Sequence, residues 1–314
     1  MIQNISDYKQ VIIGVDHGYG NTKTAHRLFR SGAYKLQTEA IAGDNVLVYK
    51  GVSYAIGESH ITYAIDRTED EETHIITLAA IGEELLERGF TTANVVLGVG
   101  LPLARYALLK GDFKKYMLHD ADPEFDYKDH HFKIHISEVY VFPQGLAETC
   151  TIEDLSDENL IIDIGNGTMN IAKIVDGVPV EKELSTERYG VSILVGEIQK
   201  ALARSQGRDI SDSIIEKLLT NGIDGRTDEI ARVTDELARK YAAEIVKKIG
   251  SYGYVEGYVK LHIFGGGGCL LRNYSELGDK HGIFFHDDIC ANAKGYEALA
   301  RMKLEAKRSK KNAS

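Results

Sequence analysis

Residues 14–24 read GVDHGYGNTKT and residues 161–171 read IIDIGNGTMNI, so one short pattern occurs twice in a chain of 314 residues. Each copy is an Asp-x-Gly-x-Gly at the end of an apolar run: Asp16, Gly18 and Gly20 in the first, Asp163, Gly165 and Gly167 in the second. The aspartates stand 163 − 16 = 147 positions apart. A single Asp-Gly or Asn-Gly sequence is ordinary hairpin-turn material. Two copies, each following a strand-like run, read instead as a matched pair, one in each half of the molecule.

Apolar runs at 11–15, 95–99, 139–142, 160–164 and 261–264 are short, rich in β-branched residues and bounded by turn residues, the pattern of buried strands. Helical periodicity separates them at 73–89, where Gly89 is placed to cap the C-terminus, and at 191–203 and 229–249. Alternating strands and helices give an α/β class, and single cores stop growing near ~250–300 residues, so two lobes are expected. Lobe I spans 1–150, with a small subdomain at 31–90 and a C-terminal helix at 291–314 packing back onto it. Lobe II spans 151–290, with an inserted helical subdomain at 191–249. A covalent crossover near 143–157 joins them. The polar stretch 120–131, which contains Pro123, reads as a surface turn before an edge strand.

A formal net charge of −10 disfavours direct nucleic-acid binding. Cys150, Cys269 and Cys290 are odd in number and include no Cys-x-x-Cys, against both a disulfide framework and a zinc site. With no long apolar run to cross a bilayer or direct secretion, the expected location is cytoplasmic, without membrane contact.

Neither turn meets the spacing of a P-loop or of a dinucleotide-binding Gly-x-Gly-x-x-Gly. What remains is a strand, a carboxylate, and glycines that let main-chain N–H groups approach an anion, which is a phosphate cradle. Lys23 supplies a mobile positive charge to the first turn; the second has no lysine there and offers Asn166 and Thr168. Asp16 and Asp163 are carboxylates suited to a magnesium ion held through water. A third cluster, Gly265, Gly266, Gly267 and Gly268, follows the 261–264 run, and its lack of side chains leaves a bed for a base or ribose.

The three glycine segments, in this order, resemble the phosphate-1, phosphate-2 and adenosine motifs of the actin-like ATPase superfamily. Residues 139–149 (VYVFPQGLAET) fall where that family has its first interdomain connecting helix, and 291–303 where it has its second. The segment GVGLPLARY (98–106), the Pro-Gln-Gly connection and Tyr189-Gly190-Val191-Ser192 are most similar to ParM-type bacterial plasmid-segregation actins. The resemblance implies a two-lobed fold of duplicated ribonuclease H-like domains, with ATP and Mg²⁺ in the interlobe cleft. It makes Gly18, Tyr19, Gly20, Asn21 and Lys23, with Gly165, Asn166, Gly167 and Thr168, the phosphate-binding residues, and Gly265 to Gly268 the adenosine-binding ones.

ParM-type proteins carry a glutamate after the proline of the connection, where this chain has Gln144. Glutamine cannot take a proton at neutral pH, so Gln144 is expected to orient the attacking water, with Asp16 and Asp163 completing the catalytic set. Glu148 is the alternative base if Gln144 begins a helix, although a helix residue facing solvent is the simpler reading. The function implied is a slow ATPase that forms helical filaments by self-association and moves plasmid DNA through an adaptor protein. A small-molecule kinase on the same fold is the alternative, disfavoured because Gln144 stands where many sugar kinases have an aspartate; a chaperone-like ATPase would need a substrate-binding domain beyond Ser314. Of the remaining features, His130, His131 and His135 are expected on a solvated edge strand and the basic run 303–311 in a frayed helix end.

Overall fold

The computed structural model describes residues 8–37, 45–57, 70–207, 209–278 and 280–312, so parts of the small subdomain expected at 31–90 lie outside the described residues. The chain divides into two compact units, Met1–Thr151 with Cys290–Ser314, and Ile152–Ile289.

The first unit opens with a meander, β1 (Gln10–His17), β2 (Asn21–Lys23) and β3 (Leu28–Arg30), followed by β4 (Ala33–Lys35), β5 (Val46–Tyr49) and β6 (Val52–Ile56). Helix α1 (Glu71–Glu87) then leads to β7 (Thr92–Leu101), α2 (Leu103–Met117), β8 (Glu124–Tyr127) and β9 (His130–Pro143). Among the described residues these strands form one sheet in the order β3-β2-β1-β7-β9-β8-β5-β6-β4. The second unit repeats the opening with β10 (Glu158–Ile164), β11 (Met169–Val175) and β12 (Val178–Glu187). Helices α3 (Val191–Gln206), α4 (Asp212–Asn221) and α5 (Glu229–Ser251) precede β13 (Lys260–Phe264), α6 (Gly268–Tyr274) and β14 (Ile283–Phe285), in a sheet ordered β12-β11-β10-β13-β14. Helix α7 (Ala291–Asn312) returns the chain to the first unit.

The two sheets share a plan. In each, an antiparallel meander ends on a central strand that pairs in parallel with the next: β1 with β7 and then β9, β10 with β13 and then β14. This is a duplicated ribonuclease H-like α/β topology. Central strands covered on both faces read as unbroken apolar runs, and β1 and β10 are buried at every residue after their first.

Each unit has its own core. Ile13, Val15, Ile76, Leu97 and Phe132 belong to the first, and Ile162, Ile171, Leu194, Ile245 and Leu261 to the second. Helix α1 starts where the Asp70 carboxylate accepts from the Glu72 amide and is buried from Thr73 to Leu85, with Gly89 (φ +74°) beyond its end. Helix α5 is capped by Asp228 and buries one stripe through Ala231, Ala238, Tyr241, Ile245 and Ile249. Helix α7 packs so closely on the first sheet that a Cβ at Gly14 would lie 1.9 Å from the Ala293 carbonyl, and one at Gly100 1.9 Å from the Tyr296 hydroxyl.

Three expectations change. The stretch 120–131 contains β8, which pairs with β5 and β9 and is no edge, so the three histidines of β9 lie on an interior strand. His131 still reaches solvent and pairs with Asp126 at 2.7 Å, and His135 pairs with Asp122 at 2.7 Å. The segment 139–149 is not a helix: its aromatic and β-branched residues extend β9 to Pro143, Gly145 turns at φ +78°, and a 3₁₀ turn occupies Ala147–Thr151. The basic tail is regular helix through Asn312, with Lys307 paired to Glu138 and Arg308 donating to Gln10.

Candidate nucleotide site

Both repeated turns are β-hairpins of one register. Asp16 pairs with Lys23 and His17 with Thr22; Asp163 pairs with Asn170 and Ile164 with Met169. In each, four residues lie between the inner pair, so the residue seven positions after the aspartate falls directly opposite it.

In the first hairpin that residue is Lys23, whose Nζ donates to Asp16 Oδ2 at 2.8 Å. The expected mobile lysine is thus fixed. Asp16 is 3 % exposed, and a buried carboxylate holds its charge only against a partner. The Gln144 side-chain amide approaches Asp16 Oδ1 at 3.3 Å, and its backbone N–H donates to the Leu101 carbonyl at 2.8 Å. Three of the expected residues, Asp16, Lys23 and Gln144, therefore meet at the end of β1. Glu148 does not face solvent as expected; it is 3 % exposed.

In the second hairpin Asn170 donates to Asp163 Oδ2 at 3.4 Å and accepts from Thr186 Oγ1 at 2.9 Å. The residue opposite the buried carboxylate thus differs between the turns, a cation in one and an amide in the other.

Both turns are built with their carbonyl oxygens taken up from within the fold. Ser31 Oγ donates to the Gly18 carbonyl at 2.6 Å, and the Ser31 N–H to Gly20 at 3.1 Å. In the second turn the Gly165 carbonyl accepts from Val191 N at 3.1 Å, and the Asn166 carbonyl accepts from Ser192 N at 2.9 Å and Ser192 Oγ at 2.8 Å. These contacts fix the carbonyl side of each turn, and within the turns the Gly18 N–H donates to the Asp16 carbonyl at 3.0 Å and the Gly165 N–H to the Thr168 carbonyl at 2.9 Å. Gly18, Tyr19, Gly165, Asn166 and Gly167 are half-buried and Asn21 is exposed, whereas Gly20 and Thr168 are buried. Tyr189 to Ser192 are where α3 docks on the second turn: a Cβ at Gly190 would lie 2.2 Å from the Asn166 carbonyl.

The third glycine cluster is less open than its sequence suggests. Gly265 (φ +81°) abuts the end of β10, where a Cβ would lie 2.4 Å from the Ile164 carbonyl and 2.6 Å from Asp163 Oδ1. Gly267 donates to the Ile164 carbonyl at 2.9 Å and has no room for a Cβ against the Ile164 side chain. Gly268 is buried at the start of α6, and Gly266 alone of the four faces open space. Two of the four glycines are thus accounted for by packing that sets the strand end carrying Asp163.

Sequence reasoning missed Ser31 and a buried carboxylate, Glu84 of α1. Glu84 accepts from Thr24 Oγ1 at 2.5 Å and Arg88 Nε at 2.7 Å, and meets His26 Nδ1 at 2.6 Å. Burial works against its charge, yet hydrogen bonds from Thr24, His26 and Arg88 outweigh burial and hold its pKa below the usual range. This anchors the chain just after Lys23 to α1. The Glu84–Arg88 spacing of four was readable on a helix; the partner of Arg88 on α7, Glu297 at 2.7 Å, was not.

The donor chemistry fits magnesium held through water. Asp16 and Asp163 are hard oxygen donors, and a cation bound directly to Asp16 would have to displace Lys23, whereas a water-separated one leaves the ion pair in place. Among the described residues no three His, Cys, Asp or Glu side chains gather as a metal site.

Residues 14–146 match the family model described as actin like proteins N terminal domain. Among solved structures the chain resembles Ta0583, an archaeal actin homolog in complex with ADP, at 20 % identity and TM-score 0.72, covering 93 % of this chain and 99 % of that one. It resembles Bacillus thuringiensis ParM with AMPPNP at 14 % identity and TM-score 0.68, covering 94 % and 99 %. It also resembles Alp12, from a filament structure, at 16 % identity and TM-score 0.68, covering 94 % and 99 %. The sequence matches no curated protein. No helix among the described residues is long and apolar enough to cross a membrane. The chain has the actin-like fold, and residues 14–146 match the N-terminal domain of actin-like proteins.

Proposed function

We propose that the protein is an ATP-dependent, filament-forming actin-like ATPase. The observation that carries this reading is the repeated hairpin, in which a buried aspartate precedes a glycine turn in one register in both units. One nucleotide engages both turns: Gly18 to Asn21 and Lys23 meet its phosphates from the first, Gly165 to Thr168 from the second, and Gly266 lies beside the adenosine. Mg²⁺, held through water near Asp16 and Asp163, supplies charge neutralisation when bound.

Gln144 has no basic group to accept a proton, and its amide is held beside Asp16, so its role is to orient the attacking water. Phosphoryl transfer depends on positioning and charge stabilisation, which Lys23 and the turn amides provide. Because each unit contacts the same nucleotide, loss of the terminal phosphate weakens the link between them, and nucleotide state sets the assembly state. Head-to-tail contacts that do not close into a ring extend into filaments. The likeness to Alp12, solved as a filament, and to ParM, solved with AMPPNP, supports assembly and nucleotide binding, and the reading extends to an adaptor that joins the filament to plasmid DNA in the cytoplasm.

Electron microscopy of the purified protein tests the proposal. Filaments are expected with ATP and Mg²⁺ or a slowly hydrolysed analogue, and none with ADP. A monomer under every nucleotide condition, with transfer of phosphate to a sugar or small acid, would establish the kinase alternative instead.

A further inference from the structure

In this acidic protein a cluster of basic side chains lies in the first unit, in a cavity of about 290 Å³ between the start of β1, the segment after α1 and the second half of α7. Lys9, Arg88, Arg301 and Arg308 line it, over a floor that includes Phe90 and Leu304. Against these four cations the wall carries one carboxylate, Glu305. The nucleotide reading uses none of them, and the basic run at 303–311 supplies Arg308.

The four cations differ in what already holds them. Arg88 is committed to Glu84 and Glu297, and Arg301 reaches Glu297 at 3.4 Å. Lys9 places its ammonium 4.5 Å from the centroid of Phe90, and Arg308 donates to the neutral amide oxygen of Gln10. These two therefore bring charge to the cavity through contacts with uncharged groups. They approach from different elements, Lys9 ahead of β1 and Arg308 from α7, so the charge is gathered by the fold and not by one basic run.

We propose that this cavity binds a small, multiply charged phosphate anion. The volume is at the lower end of small-molecule sites, about 300 Å³, which suits a di- or triphosphate group and leaves little room for a folded partner. Arg301 and Arg308 come from α7, Arg88 from the end of α1 and Lys9 from the residue before β1, and charge-assisted bonds to phosphate are the strong class of hydrogen bond. Arg88 lines the cavity and also anchors Glu84, which holds Thr24 beside Lys23, so a bound anion that draws on Arg88 touches the support of the first turn.

Calorimetric titration with inorganic pyrophosphate at fixed ionic strength tests this. Wild type is compared with Lys9→Glu/Arg308→Glu, both side chains being exposed, and with the milder Lys9→Gln/Arg308→Gln; ATP affinity and circular dichroism serve as controls. The expected result is a pyrophosphate site, separate from any that the nucleotide turns provide, weakened at least tenfold by the reversal and less by the neutral pair, with ATP affinity and fold unchanged. Equal pyrophosphate affinity in all three proteins, or no binding by wild type at millimolar concentration, would overturn the assignment. So would an acidic peptide that binds at the same residues while pyrophosphate does not. Absence of filaments would leave this test intact, because its readout is the anion alone.

Discussion

Lys23 and Asp16 face each other across the first hairpin at 2.8 Å, and the same register position in the second hairpin is Asn170 against Asp163. The duplication is therefore exact in backbone pairing and unequal in charge. One turn carries a cation at the position opposite its carboxylate, and the other carries a neutral amide there.

Lys23→Asn copies the second turn into the first. It leaves Asp16 buried without its cation, and breaking such a pair costs roughly 3–5 kcal/mol. Asp16→Asn/Lys23→Asn should recover most of that stability while ATP affinity stays about tenfold or more below wild type. Urea denaturation and nucleotide titration on the three proteins decide it; full recovery of ATP binding in the double variant would remove Lys23 from the phosphate site.

Gln144→Ala should slow ATP hydrolysis by about tenfold or more while nucleotide affinity changes little, because a water-orienting group acts in the transition state. Single-turnover phosphate release separates the two quantities. Parallel loss of affinity and rate would make the contact with Asp16 structural.

Gly190→Ala forces a Cβ to within 2.2 Å of the Asn166 carbonyl and 2.3 Å of the Gly167 backbone, so α3 and the second turn must part. A loss of about 1–3 kcal/mol is expected, with weaker ATP binding. Gly196→Ala, on the same helix and in open space, should instead stabilise by up to about 1 kcal/mol. Matching effects from the two substitutions would show that the turn does not depend on this contact.

Acid should weaken the fold before the carboxylates titrate. Burial, aided by His119 beside His74 and His286 beside His262, lowers the pKa of each buried histidine to about 4 from the ordinary 6.5. Between those values the unfolded chain binds more protons than the native one, so stability rises with pH and is lost as pH falls from 6.5 towards 4. Each group contributes on the order of 1 kcal/mol per pH unit in that window. His262→Gln should flatten the slope of unfolding free energy between pH 6.5 and 5; an unchanged slope would exclude His262 as its source.

The strands and the paired turns were legible because their signals are local: apolar runs such as 11–15 and 160–164, each stopped by Asp-x-Gly-x-Gly. The contacts that finish the site are not local. Ser31 reaches the first turn because β2 and β3 fold back on β1, and nothing around Arg30-Ser31-Gly32 marks it. Arg88 meets Glu297 across 209 positions. At 139–149 the aromatic run VYVF gave the strand at 139–142 that β9 contains, whereas the connecting helix expected from the family is replaced by the turn at Gly145 and the short 3₁₀ turn after it. The glycines at 265–268 look alike in sequence, yet two are required by the Ile164 backbone and side chain while one faces open space.

The central claim is that ATP, through the paired turns, drives self-assembly, and the most direct measurement is light scattering with simultaneous phosphate release across a range of protein concentrations. Scattering should rise above a critical concentration with ATP and Mg²⁺, fall as ADP accumulates, and persist with a slowly hydrolysed analogue. Scattering that is absent at every concentration, or that is the same with ATP, with ADP and without nucleotide, would contradict it.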